Sequence, residues 1–242
     1  MLSTETTDRW RARTGQMIGL VGLVTYNWWI MVAADGRLMT SPDELFSDLE
    51  ASGRPDAALL QHLDLAAGIL LFTALMIRGS RGRSGRRVEW RWLVAFSIAG
   101  AVGGHYAYAC PEGLSRTCRI AEWHLQLPFH HYVHVAAGIT EFLTATVAIW
   151  LAWRRTRGVP GLEAKGIAFV AIALLASYPL LAVSYLSDRF GAFVEPIFFL
   201  CFSAIILFEL FEPIGRRGSN RGSIVVDASI SAPSPDRPDV AT

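Results

Sequence analysis

The run "HHYVHVAAGITEFLTATVAIWLAW", His130 to Trp153, decides how this chain is read. After His134 it holds one ionisable residue, Glu141, in some twenty positions, and it closes on the basic "RRTR". A helix needs about 20 mostly apolar residues to cross a hydrocarbon core. The run therefore predicts a membrane-crossing helix with a polar, histidine-rich mouth.

Five further runs have the same character. With this one they read as Gln16–Ala34, Leu59–Ile77, Trp92–Ala109, Phe129–Trp153, Gly166–Leu186 and Ala192–Phe211. Over the 242 residues 52% are hydrophobic and only 18% charged, and mean hydropathy is +0.34. Soluble domains carry about a quarter charged residues, so the shortage points to a bilayer. The predicted fold is all-α: a bundle of six transmembrane helices over residues 16–212. Residues 1–15 form a cytoplasmic N-terminus, and the Pro, Ser and Asp-rich residues 213–242 form a disordered cytoplasmic tail. The first run is read as a retained span rather than a signal peptide, because it is long and carries Asn27 beside paired tryptophans.

Basic residues favour cytoplasmic loops. With the N-terminus inside, sixteen of them lie near inner ends, in groups around Arg11, Arg83, Arg155 and Arg217. The outer connections hold five: Arg37, Arg54, Arg116, Arg119 and Arg189. Trp90, Trp92, Trp150 and Trp153 then fall at inner interfaces, and Trp28, Trp29 and Trp123 at outer ones, where indoles anchor. The cytoplasmic membrane is the expected location and its lipids the expected partners. The basic loops need no nucleic acid to explain them.

Two features mark the outer side. "SPDELFSDL" predicts a short helix with Ser41 as cap, Pro42 at the first position and Glu44 completing a capping box. Leu45, Phe46 and Leu49 would lie on the outer face of the bundle. Cys110 and Cys118 share the loop "CPEGLSRTC", where oxidising conditions permit a disulfide. Cys201 reads as a small apolar packing residue. "GAVGG", Gly100–Gly104, reads as a close approach between helices.

The topology gathers the polar chemistry on that side. His62 and Asp64 fall in the outer third of the second span, His105 at the outer end of the third, and His130, His131 and His134 at the mouth of the fourth. His124 precedes them, and Glu195 opens the sixth span after Asp188. His130 and His134 are four residues apart, a spacing suited to two ligands of one metal. Neutral imidazoles suit zinc or another divalent ion, and a zinc-bound water is acidic near neutral pH. One reading is therefore a histidine-rich cavity in which His62, His105, His130 and His134 hold a metal and Asp64 or Glu195 acts as base in lipid hydrolysis. Glu141, deeper in the bilayer, must be protonated, paired or facing a wet cavity. The same residues also fit a network of interhelical hydrogen bonds, a non-enzymatic sensor or accessory subunit titrating near the outer face, or a small-molecule transporter. Whether the chain is an enzyme stays open at this level.

The residues also carry a resemblance. "SPDELFSDLEASGRPDAALLQHLDLAAGILL", "CPEGLSRTC", "HHYVHVAAGITEF" and "SDRFGAFVEPIFFLCFSAIILFELFEP" follow one another as in the domain-of-unknown-function 998 family of multi-pass bacterial membrane proteins, which this chain resembles over most of residues 15–212. The resemblance implies an integral membrane protein with helical spans, and assigns no catalytic residue.

Overall fold

The computed structural model describes residues 4–36, 41, 44–79, 88–187 and 191–211. In chain order its helices are α1 Thr4–Tyr26, α2 Trp29–Ala34, α3 Phe46–Leu49, α4 Ala57–Gly79, α5 Val88–His105, α6 Arg116–Trp123, α7 Phe129–Thr156, α8 Leu162–Ser187 and α9 Gly191–Phe211. Six of these have 18 residues or more. Four carry stretches long and apolar enough to cross a membrane: Ala57–Gly79, Phe129–Thr156, Leu162–Ser184 and Phe193–Phe211. The other two long helices, α1 and α5, begin among charged residues, Arg9, Arg11 and Arg13 in one and Glu89 and Arg91 in the other.

α4 packs between α1 and α5, α5 packs on α7, and α8 lies against α7 and α9. The core runs along these seams through Leu71, Leu75, Leu93, Phe96, Ile149, Phe198 and Phe202, each no more than 1% exposed. Lipid tails are as apolar as leucine, so close backbone contact has to supply much of the cohesion. It does so between α4 and α5. A Cβ placed on Gly68 would fall on the backbone of Ala101, and one on Gly104 on the backbone of Leu65. The small residues of "GAVGG" are there to let these two helices touch.

At the end bearing the C-terminus of α7, Arg155 Nε donates to Glu89 Oε1 at 2.6 Å and its Nη2 lies 3.9 Å from Glu163. Trp90 Nε1 reaches the Leu75 carbonyl at 3.0 Å. At the other end two excursions, residues 44–56 with α3 and residues 106–128 with α6, close over the bundle as a cap. They meet at a parallel bridge, Ala51 to Tyr108, where the Ser52 N–H donates to the Tyr108 carbonyl at 2.8 Å. Cys110 and Cys118 form a disulfide with Cα atoms 6.1 Å apart, inside the usual range.

Three expected boundaries move, each for a local reason. The first expected span starts earlier, at Thr4, and breaks after Tyr26. Asn27 makes the break by turning its side chain inward: Nδ2 donates to the Leu23 carbonyl at 2.8 Å and to Ser203 Oγ at 2.9 Å, and Oδ1 accepts from Trp29 Nε1 at 3.1 Å. The third ends at His105, four residues short of Ala109, because the chain turns there into the bridge with Ala51. The helix expected from Pro42 begins instead at Phe46, with Leu45 as its cap residue. Asp48, not Glu44, returns to the cap backbone, its Oδ2 accepting the Leu45 N–H at 2.8 Å. Glu44 is fully buried and paired with Arg54 at 2.6 Å. Phe46 and Leu49, expected on the outer face, are 2% and 6% exposed. Phe46 packs among Trp28, Trp29 and Phe199, with ring centroids 6.2, 5.3 and 4.8 Å away. Pro42, Asp188 and the expected tail lie outside the described residues.

Candidate functional site

The cap and the helix ends beneath it hold an acid-rich group. α4 supplies Asp64, whose Oδ1 accepts the indole N–H of Trp28 at 2.6 Å. The strap after α3 supplies Glu50, 3% exposed, whose carboxyl hydrogen-bonds that of Asp64. Glu50 is fixed there because its carbonyl accepts Gln61 Nε2 at 2.8 Å. Two carboxyl groups can hydrogen-bond only if one keeps its proton. Asp64 already takes the indole N–H, so the proton belongs to Glu50. The other Glu50 oxygen, Oε2, is buried without a partner.

What surrounds the pair is acidic as well. Glu50 faces Asp64, Glu141 of α7 and Glu195 of α9, and the hydroxyl of Tyr26 on α1 faces Asp64, Glu141 and Glu195. His134 faces Asp64 from α7. Burial, then the charge and hydrogen bond of Asp64, hold the Glu50 carboxyl well above the usual carboxylate range. Glu195 ties α9 to the strap, its Oε2 accepting the Phe46 N–H. Glu141 lies with Oε1 against Gly100 of α5, where a Cβ would displace it.

A second acidic group latches the two excursions. Asp48 is fully buried, and its Oδ1 accepts the Gly113 N–H at 3.2 Å. Burial pushes its carboxyl up to about 6, although the Leu45 and Gly113 N–H groups pull the other way. Glu112 is pushed up to about 7, first by burial and then by its hydrogen bond with Glu122. Glu122 in turn meets His131. The Nδ1 of His131 accepts the Ala109 N–H at 3.2 Å, so its proton sits on Nε2 and points at Glu122 Oε2, 2.9 Å away. His131 is fully buried and stacks on Tyr108 with centroids 4.6 Å apart.

The expected metal ligands go to separate surroundings. His62 is exposed, and its Nδ1 bonds the Ala58 carbonyl one turn back on its own helix. His105 is exposed against Tyr106 and lines an apolar groove between α4 and α5. His130 is half-buried, and the exposed His124 follows α6 as its C-cap. His134 Nδ1 lies 3.0 Å from the carbonyls of both Gly103 and Tyr106, donating to the open end of α5. Among the described residues no three His, Cys, Asp or Glu side chains are grouped to hold a metal ion. Of the residues singled out in the sequence, Asp64, Glu141, Glu195 and His134 share one neighbourhood, and His62, His105 and His130 do not join it.

The reading from sequence missed Glu50, Asp48, Trp28, Glu122 and the leading part of His131. Spacing holds a partial signal for one of them: His131 is the residue of the "HHYVH" group whose helical phase points between α5 and α6, but phase is visible only once the neighbours are placed. The carboxyls of the strap carry none, because an acidic loop looks solvated until it folds inward.

A helical bundle with membrane-span-like helices and a polar cap at one end belongs among the integral membrane proteins. Over residues 17–208 the chain matches the family described as protein of unknown function (DUF998), and it is a member of that family. No curated protein matches it, and no solved structure does.

Proposed function

We propose that the protein crosses the cytoplasmic membrane six times with both termini inside, and that its extracytoplasmic cap responds to proton activity as a sensor or accessory subunit. The placement of basic residues supports the orientation: Arg155 and its neighbours crowd the end away from the cap. α1 and α5 are read as the two remaining spans because each packs along its length on apolar helices. Residues 1–15 and 213–242 then lie in the cytoplasm.

The observation that carries the sensory reading is the Glu50–Asp64 carboxyl pair, facing Glu141 and Glu195. While Glu50 keeps its proton, the pair binds the strap to α4. Once the proton leaves, two anions face each other in a medium of low dielectric, and repulsion replaces a hydrogen bond. Because Glu50 holds its proton to higher pH than a free carboxyl, the strap is bound on the acid side and loosened as pH rises. The fixed cap, the proton-sharing pair and an indole reporting on it suit a switch. Metal-dependent lipid hydrolysis would need His62, His105, His130 and His134 to share an ion, and their separate surroundings give that reading less support.

Trp28 makes the test direct. In nanodiscs, intrinsic fluorescence titrated from acid to alkaline pH is expected to show a transition that disappears in Asp64→Asn and in Glu50→Gln and loses its amplitude in Trp28→Phe. A titration that is flat in the wild-type protein, or unchanged in Glu50→Gln, overturns the proposal.

A further inference from the structure

Between α2 and the start of α4 lies a cavity of about 520 Å³, within the range of about 300–1,000 Å³ common for ligand pockets. Its walls are mainly apolar: the indole of Trp28 forms the back, and Met31 and Leu59, 60% and 57% exposed, form a rim open to the bilayer. Its polar residues are Arg54, Asp35 and Asp56. α4 is apolar enough to span the membrane and begins at Ala57, which sets this rim where hydrocarbon gives way to headgroups.

The charges on the rim are of both signs. Arg54 gives Nη2 to Glu44, yet its Nε is buried without an acceptor and its side chain stays 31% exposed, leaving further N–H groups for a ligand. The N-terminus of α4 adds the positive end of a helix dipole beside it. Asp35 and Asp56 set two carboxylates on the same rim. An anionic head alone would meet those carboxylates unfavourably, and a cationic one would meet Arg54. A head carrying both charges suits all three residues.

We propose that this cavity is a binding site for one zwitterionic phospholipid of the ethanolamine type. One acyl chain enters along Met31 and Leu59 to the face of Trp28. The phosphate rests on Arg54 and the start of α4, and the ammonium on Asp35 and Asp56. An ethanolamine head donates N–H bonds that a choline head lacks, so the carboxylates select between two lipids of equal charge. The site stands independently of the proton switch, although Trp28 forms part of both.

The test is native mass spectrometry of the full chain in mild detergent, with palmitoyl-oleoyl phosphatidylethanolamine, phosphatidylcholine or phosphatidylglycerol added in turn. One phosphatidylethanolamine is expected to stay bound at concentrations where the other two do not, with a preference of about tenfold or more, as one charge-assisted hydrogen bond gives. Leu59→Trp, at an exposed position that needs no repacking of the core, should fill the mouth and abolish retention. Arg54→Gln should weaken it, and Asp35→Asn with Asp56→Asn should erase the preference over phosphatidylglycerol. Equal retention of all three lipids, retention by Leu59→Trp undiminished, or capture of phosphatidylglycerol alone overturns the proposal.

Discussion

Asp48 has no counterion among its bonded partners, yet it is the residue on which the two halves of the cap meet. Its carboxylate accepts one N–H from its own turn and one from Gly113, and burial still raises it from an ordinary 3.8 to about 6. A folded-state value above the unfolded one means that the native cap holds a proton which the unfolded chain releases. Stability from this group is therefore greatest below about pH 4, falls as pH rises through 3.8 to about 6, and is level beyond. The loss is on the order of 3 kcal/mol. Hydrogen exchange across residues 44–56, corrected for its intrinsic pH dependence, should show protection declining over that window, and Asp48→Asn should flatten the decline. An undiminished slope in the variant would place the effect elsewhere. None of this can be seen in "SPDELFSDLEASG", where Asp48 is one acid among four. Its depth depends on Gly113, 65 residues away.

At the scale of the element, adjacent glycines in α5 separate two kinds of contact. Gly104 lies against the Leu65 backbone, with no space for a methyl group, whereas a Cβ on Gly103 would meet only the Ala137 methyl at 3.6 Å, an ordinary contact. Gly104→Ala should therefore lower the melting temperature in detergent, by a destabilisation of about 1–3 kcal/mol or more. Gly103→Ala should leave it nearly unchanged. Equal effects would refute a backbone-to-backbone seam between α4 and α5. Here the sequence was informative, because "GAVGG" inside an apolar run has few other uses. The long helices were legible for the same reason, their apolar runs being set by bilayer thickness. The short ones were not. α3 is placed by the burial of Phe46 and Leu49, and the break before α2 by the reach of Asn27 to Ser203, 176 residues on. Spacing within "HHYVH" showed that a histidine face exists. It did not show that His131 turns into the cap while His134 serves the carbonyls of α5.

For the whole molecule, the disulfide marks a compartment. Cys110 and Cys118 are joined in the cap, and Cys201 is buried in α9. If the cap faces the cell exterior, a membrane-impermeant maleimide should label two cysteines in intact spheroplasts only after an impermeant reductant has been added. Labelling that needs permeabilised cells would invert the topology and remove the cap from the pH of the surroundings.

The bond from Glu195 to the Phe46 N–H spans 149 residues. Synthesis runs from the N-terminus, so the strap emerges early and the carboxylate that fastens it arrives with the final helix. Until then Phe46 waits without that acceptor, whatever else has already inserted. A closed cap is thus a certificate of completed assembly, and a chain truncated before α9 should present an open strap to proteases and quality-control machinery.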